Sequence, residues 1–379
     1  MIFMKVQHLA MSAILAFLGM STCAQPTLEG RIEAANIIFA VPAAAKGRDI
    51  LFEKEVFDRP GEESFRLRFN DIQKGAATGD TRIVIRNRAN EIIEDISIAA
   101  FAVGTEYWTR VLPGSYALIQ VVGSAGSTTP KLSFRVDRIG TSAKGARLLS
   151  KRDPFNPKDR PIAEFSGNAA LMKAARSVAK LIISRDLDTI SCTGFMVSPD
   201  MMVTNQHCIS SAAACSGSYA KFGYERDAAG KLSEGEDFRC IRLLESDFGL
   251  DFAVIRLEGA PGQATRWGHL QWSESKNFIN EPLTMIQHPD GDPKRGAVQG
   301  CDVTTVDAIG KLAGDASDFG HRCDTMTGSS GSPALDASMK VRGLHHMGFD
   351  TSDAKWSFEN RAVKAERLRA RISKWSEAQ

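Results

Sequence analysis

The 379 residues contain no apolar run long enough to cross a bilayer as a helix, which takes about 20 residues. Neither sign of charge dominates: 47 Lys and Arg stand against 45 Asp and Glu. A net charge of +2 argues against a nucleic-acid binder that relies on neutralising phosphates. There is no Cys-x-x-Cys pair and no His-Glu-x-x-His run, so these zinc signatures are missing and neither metal nor cofactor is expected. Repeats and low-complexity tracts are also absent. What is present is an ordinary globular composition, 43% apolar and 24% charged, with length for two domains or one large one.

The first 24 residues differ from the rest. Lys5 precedes an apolar run at residues 9–20 (LAMSAILAFLGM), and Thr22-Cys23-Ala24 offers small residues for cleavage. Residues 1–24 therefore read as a signal peptide, too short for an anchor, and the chain as exported, secreted or periplasmic, with no stable membrane insertion. The rival reading is acylation of Cys23, which Met20 and Thr22 fit poorly. Setting Cys23 aside leaves Cys192, Cys208, Cys215, Cys240, Cys301 and Cys323. An even number of thiols in an oxidising compartment favours disulfides, though arithmetic alone leaves their pairing open.

Residues 25–150 alternate apolar and polar with period two at 65–69 (FRLRF), 81–85 (TRIVI), 116–122 (YALIQVV) and 131–136 (KLSFRV). Gly- and Asn-containing turns separate these runs, which predicts half-buried antiparallel strands and a β-sandwich-like domain. Trp108 and Arg110 read as packing and surface residues, not as a site. Residues 151–160 (KRDPFNPKDR) are charged and hold two prolines, a linker composition; the linker is expected over 151–164. A second domain over 165–379 follows, with a short helical pattern near 169–178 and strands at 179–183, 194–197, 252–257 and 283–286. The last 20 residues have helical spacing, with Val363, Leu368 and Ile372 on one side and a solvated basic face opposite.

Three segments of this second domain carry chemistry. They are 191–208, containing SCTGFMVSPD and VTNQHC; 250–257 (LDFAVIRL); and 323–335 (CDTMTGSSGSPAL). A serine hydroxyl is a poor nucleophile until an imidazole takes its proton. A carboxylate must hold that imidazole in one tautomer, and backbone N–H groups must bind the resulting oxyanion. His207, Asp251 and Ser330 supply the three side chains, and the N–H groups of Gly328 and Ser330 are candidates for the oxyanion hole. Taken singly, His207 could be a core histidine, Asp251 a strand-end cap with Asp247 as a rival, and Ser330 part of a flexible loop. Cys323 and the Pro333-Ala334-Leu335 run pin that loop at both ends, which speaks against a linker.

Together these motifs resemble the chymotrypsin-like serine peptidases, in particular their bacterial trypsin-like and glutamyl-endopeptidase branch. T-N-Q-H-C matches the family's histidine motif, L-D-F-A-V-I-R-L its aspartate strand and G-S-S-G-S-P its nucleophile loop. Further matches are 286–291 (IQHPDG) and 343–348 (GLHHMG). The order His, Asp, Ser is that of this family and not of subtilisins or α/β-hydrolases. The resemblance covers roughly 165–375 and implies an all-β fold: a double six-stranded β-barrel of the chymotrypsin type with a C-terminal helix, preceded by the β-sandwich-like domain. It also implies a Cys192–Cys208 disulfide bracketing the histidine; Cys215–Cys240 and Cys301–Cys323 are the pairs guessed for the rest.

The expected partner is a protein or peptide substrate. Asp324, six residues before Ser330, stands where trypsin-type members read a basic side chain. Thr325 and His345 stand where glutamyl endopeptidases read an acidic one, and the balance leans slightly to an acidic or mixed preference. His288 and His346 read as structural. Ser329 replaces the aspartate that pairs with a new amino terminus in many animal members, so the oxyanion hole must assemble without that ion pair. Residues 25–150 could be a removable pro-region or a permanent partner, with Lys151-Arg152 and Lys158-Asp159-Arg160 as cleavage sites. The competing reading of the whole is a catalytically silent homologue that binds peptides or a surface partner. A lipase or esterase is disfavoured because Ser332 breaks Gly-x-Ser-x-Gly.

Overall fold

The structure, a computed structural model, describes residues 26–41, 50–75, 80–101, 106–123, 132–143, 159–310, 313–348 and 359–376. The expected signal peptide, Cys23, most of the expected linker and the Lys151-Arg152 site lie outside the described residues. Among those described, no helix is long and apolar enough to cross a membrane.

Six antiparallel strands close the first barrel: Val178–Arg185, Asp188–Met196, Met201–Thr204, Ser218–Arg226, Leu232–Asp247 and Phe252–Leu257. Closure comes from pairing Val178–Arg185 along the whole of Asp188–Met196. Leu181, Ile183, Ile190, Met196, Met202, Phe222 and Ile255 fill its interior. A closed barrel leaves few unpaired strand edges, and alternate residues must point inward, as the period-two pattern requires.

The second unit is a half-barrel, not the closed six-stranded barrel expected. Its eight strands run in the order Asp159–Pro161, Arg295–Ala297, Thr284–Gln287, Pro333–Leu335, Val341–Met347, Asn360–Lys364, Asp318–His321 and Val303–Ala308. Asp159–Pro161 was expected as linker. It instead pairs with Arg295–Ala297, and the buried Asp159 carboxylate binds Arg295 at 2.5 Å. Residues 159–161 thus belong to this sheet, and the Lys158-Asp159-Arg160 site runs into a strand. Composition suggested an open segment here because Arg295, 136 residues away, supplies the partner.

Between the units lies a core of Ile162, Val178, Phe195, Val203, Phe252, Ile286, Leu335, Leu344 and Val363. The C-terminal helix Ala365–Ser376 buries Leu368 and Ile372, one turn apart, in this core. Each contributes about 1.5–3 kcal/mol. Val363, expected on that helix, lies in the preceding strand. The basic face is not merely solvated: Arg371 and Lys374 pair with Glu245 at 2.7 and 2.9 Å, and Arg371 also reaches Asp247.

The N-terminal β region forms two sheets around Phe39, Phe65, Leu67, Phe69, Ile83, Ile119 and Val136. One of these sheets continues into the first barrel. Asp188–Met196 gives one half of its outer edge to Met201–Thr204 and the other half to strand Thr27–Ala40. Edge pairing of this kind satisfies backbone groups that would otherwise be exposed. Arg66 is buried at the junction, donating to Ser184 Oγ (2.6 Å) and Gly217 O (2.8 Å) between the rings of Trp108 and Tyr219. Burial pushes this guanidinium down to about 10. Trp108 is buried, as read from sequence, and its carbonyl accepts from the Tyr219 hydroxyl. Chain cleaved within 151–158 is expected to elute as one particle on native size exclusion and as two pieces in denaturant. Arg66→Ala, which removes the bonds to Ser184 and Gly217, should let the pieces separate at lower denaturant concentrations.

Candidate active site

Asp251 opens the strand Phe252–Leu257 from a left-handed conformation (φ 48°). Its carbonyl accepts from Asn205 Nδ2 at 2.9 Å, so the histidine segment is tied to the aspartate turn by main chain as well as side chain. Non-glycine residues in this region are strained and persist where the surroundings hold them. The carboxylate is 1% exposed. Oδ1 accepts the backbone N–H of His207 at 3.0 Å, and Oδ2 meets His207 Nδ1 at 2.8 Å. With a carboxylate on Nδ1 the proton resides there, leaving Nε2 as an acceptor. Nε2 is buried and has no hydrogen-bond partner among the described residues. Asp247, the rival, is engaged elsewhere: it accepts from Leu250 N–H and pairs with Arg371.

Ser330 sits in the turn between Gly328 (φ 82°) and Gly331 (φ 88°). A Cβ on Gly331 would lie 2.0 Å from Thr193 O and 2.5 Å from Thr204 Oγ1, so only glycine fits. That contact packs the turn against Thr204, three residues before His207. Thr193 N–H donates to Ser330 O (2.8 Å), and Gly331 N–H donates to His345 O (3.0 Å). The turn is thus clamped between the first barrel and the strand Val341–Met347. The Cys192–Cys208 disulfide links the residues next to Thr193 and His207, fixing the two segments together. Cys215–Cys240 and Cys301–Cys323 form the other two bridges; the second ends just before Asp324.

The carbonyl partners fix where two N–H groups of the turn point. Thr327 O accepts from Asp290 N–H at 2.6 Å, so the trans peptide sends Gly328 N–H the opposite way. Ser329 O accepts from Ser332 N–H, which does the same for Ser330 N–H. Ser329 Oγ accepts from Met326 N–H at 3.0 Å, so the loop is braced locally where other members would use an ion pair. Thr193 was not foreseen. Its Oγ1 donates to Gly328 O (2.9 Å) and accepts from His288 N–H (3.0 Å), holding the turn at a distance of 135 residues in sequence.

Of the residues proposed to read the substrate, Thr325 is half-buried and His345 fully buried. His345 Nδ1 meets His321 Nε2 at 3.1 Å, and its Nε2 has no partner among the described residues. Burial, with the neighbouring imidazoles, pushes His345 well below the usual histidine range, and burial takes His321 down to about 3. The Asp324 carboxylate accepts from Asp159 N–H at 3.4 Å, so it faces the strand Asp159–Pro161. His288 is buried, with Nδ1 on Asp292 O, and burial keeps it neutral. That agrees with the structural role read for it. His346 is different, for its Nδ1 stands 3.4 Å from Asp251 Oδ2. Burial alone would push the Asp251 carboxyl up; the His207 and His346 imidazoles outweigh that and hold it below the usual carboxylate range.

Residues 192–344 match the family described as trypsin-like peptidase domain. The trypsin-like peptidase domain is thus matched over residues 192–344, less than half of the chain. Among curated proteins it is similar to Secreted RxLR effector protein 73 of Plasmopara viticola, at 28% identity over 64% of this chain and 64% of that protein. It is also similar to the uncharacterized protein y4fB of Sinorhizobium fredii, at 28% identity over 47% of this chain and 28% of that protein. The chain thus spans less than two thirds of the length of either relative. Solved structures with similarity include a Glu endopeptidase in complex with MPD (19% identity, TM-score 0.43, 59% of this chain and 99% of that one). Another is the serine endoprotease from Yersinia pestis (15% identity, TM-score 0.40, 55% of this chain and 65% of that one).

Thr193→Val keeps the shape of the peptidase domain's clamp but leaves Gly328 O and His288 N–H without their partner. A loss of about 1–3 kcal/mol is expected in urea unfolding, with most of it restored by Thr193→Ser. Equal stability of the valine variant and the parent would show that the clamp carries no load.

Proposed function

We propose that this protein is an exported serine endopeptidase that cleaves peptide bonds through an acyl-enzyme. The observation that carries the reading is the 2.8 Å bond from His207 Nδ1 to buried Asp251, which leaves Nε2 as the acceptor. In this mechanism Nε2 takes the Ser330 hydroxyl proton as Oγ attacks the scissile carbonyl. The N–H groups of Gly328 and Ser330 bind the oxyanion, a contribution typically worth about 3 kcal/mol per donor. The imidazolium, stabilised by Asp251, then protonates the leaving amine. Water completes the cycle by the same route in reverse, with His207 again as base.

The substrate is a protein or peptide, with preference for an acidic side chain before the cleaved bond. Thr325 and the unfilled Nε2 of His345 supply polar groups for it, while Asp324 is committed to Asp159. Export is supported by three disulfides, which persist in oxidising compartments. The word "secreted" in the name of the Plasmopara viticola relative agrees. Residues 26–143 act as a permanent partner of the peptidase domain, supported by the sheet the two share.

The test is labelling with a fluorophosphonate probe, with Ser330→Ala as control, followed by a peptide-library digest. Labelling of the parent alone and cleavage after Glu or Asp are expected. Equal labelling of both proteins would remove Ser330 as the nucleophile. A folded parent that is never labelled would favour the silent, peptide-binding alternative.

A further inference from the structure

His346 sits in a place the triad chemistry does not require. It is buried on the strand Val341–Met347 with a carboxylate at each end of its ring. Nε2 meets Asp318 Oδ2 at 2.9 Å, and Nδ1 stands 3.4 Å from Asp251 Oδ2. The same Asp251 oxygen accepts from His207 Nδ1. A neutral imidazole would turn a lone pair toward one of these carboxylates; an imidazolium offers a proton to both. Two buried carboxylates facing one ring are also costly unless a cation stands between them.

We propose that His346 is a positioning residue, a cationic imidazole that braces the far side of Asp251 and thereby sets how strongly His207 holds its proton. The proposal rests on the Ser-His-Asp reading for its effect on catalysis, but not for the charge of His346 itself. Asp318 is anchored in turn by Ser317 Oγ at 2.8 Å, so the line runs from the strand Asp318–His321 through His346 and Asp251 to His207. The other titratable groups around it are His345 beside it, His321 on the same strand as Asp318, and Arg361 on Asn360–Lys364. His321 and His345 are held neutral by burial, which leaves Asp251 and Asp318 as its counter-charges. Burial pushes His346 down, yet the two carboxylates raise it to about 10.

The charge count yields a signed expectation. Asp251, His346 and Asp318 together carry one net negative charge. Replacing His346 by glutamine leaves two, and more negative surroundings stabilise the His207 imidazolium. The acid limb of the pH–labelling profile, which reports deprotonation of His207, should therefore move up by about one pH unit in His346→Gln. It should move down in Asp318→Asn, where the count falls to zero. The double variant restores a single negative charge, and its limb should return to the parent position. A purely packing role would not produce opposite shifts that cancel.

Two measurements test this. The first is fluorophosphonate labelling rate against pH for the parent, the two single variants and the double variant. Shifts of opposite sign that cancel are expected; a limb that stays in place in folded His346→Gln would overturn the proposal. The second is ¹⁵N NMR of histidine-labelled Ser330→Ala protein, assigned by comparison with Ser330→Ala/His346→Gln. It needs no activity. His346 should show both ring nitrogens protonated throughout the neutral range and titrate only near pH 10. A neutral His346 at pH 7 would overturn the proposal and leave the triad untouched. Failure of labelling with a cationic His346 would instead remove the triad and confine the ring to bracing Asp251.

Discussion

A single buried carboxylate, that of Asp251, organises the site. At 1% exposure it cannot be solvated, so each of its oxygens needs a donor from the protein. The backbone and ring of His207 supply two of them, and His346 approaches the oxygen that already holds the ring. The left-handed turn at Asp251 is the local cost of aiming the carboxylate inward. His207 belongs to the first barrel and His346 to the half-barrel, so the Asp251 carboxylate lies where the two units meet. The core between them, which includes Phe195, Phe252 and Leu344, holds the units together there.

The turn that carries Ser330 depends on the same junction. It lies between Thr193 of the first barrel and His345 of the half-barrel, held by main-chain bonds on both sides. Ser329 braces the loop through Met326, and Thr193 braces Gly328. The N-terminal β region adds a further constraint. By occupying the open half of the edge of Asp188–Met196, the strand Thr27–Ala40 stiffens the strand that carries Cys192 and Thr193. Glu29 on the same strand meets Lys180 at 2.8 Å, and Lys180 also donates to Gly291 O beside the Ser330 turn.

Much of this was legible in the sequence because it is local. The period-two runs became strands, and the four residues around Ser330 became a glycine-flanked turn that backbone geometry alone demands. The disulfides Cys192–Cys208, Cys215–Cys240 and Cys301–Cys323 match the pairs expected. What composition could not reveal depends on partners remote in the chain. Residues 159–161 read as linker until Arg295 pairs with Asp159. The basic helix face read as solvated until Glu245 meets it. Thr193 and His346 lie inside the motifs quoted for 191–208 and 343–348, but their roles come from contacts with Gly328, Asp251 and Asp318. The half-barrel likewise follows from long-range pairing, to which period-two alternation is blind.

The most direct test of the central claim is a crystal structure of the phosphonylated protein. Phosphorus should be bonded to Ser330 Oγ, with its oxygen within hydrogen-bond reach of the N–H groups of Gly328 and Ser330. His207 should still be held by Asp251, with His346 behind it. Phosphorus on another residue, or an imidazole swung away from Asp251, would contradict it.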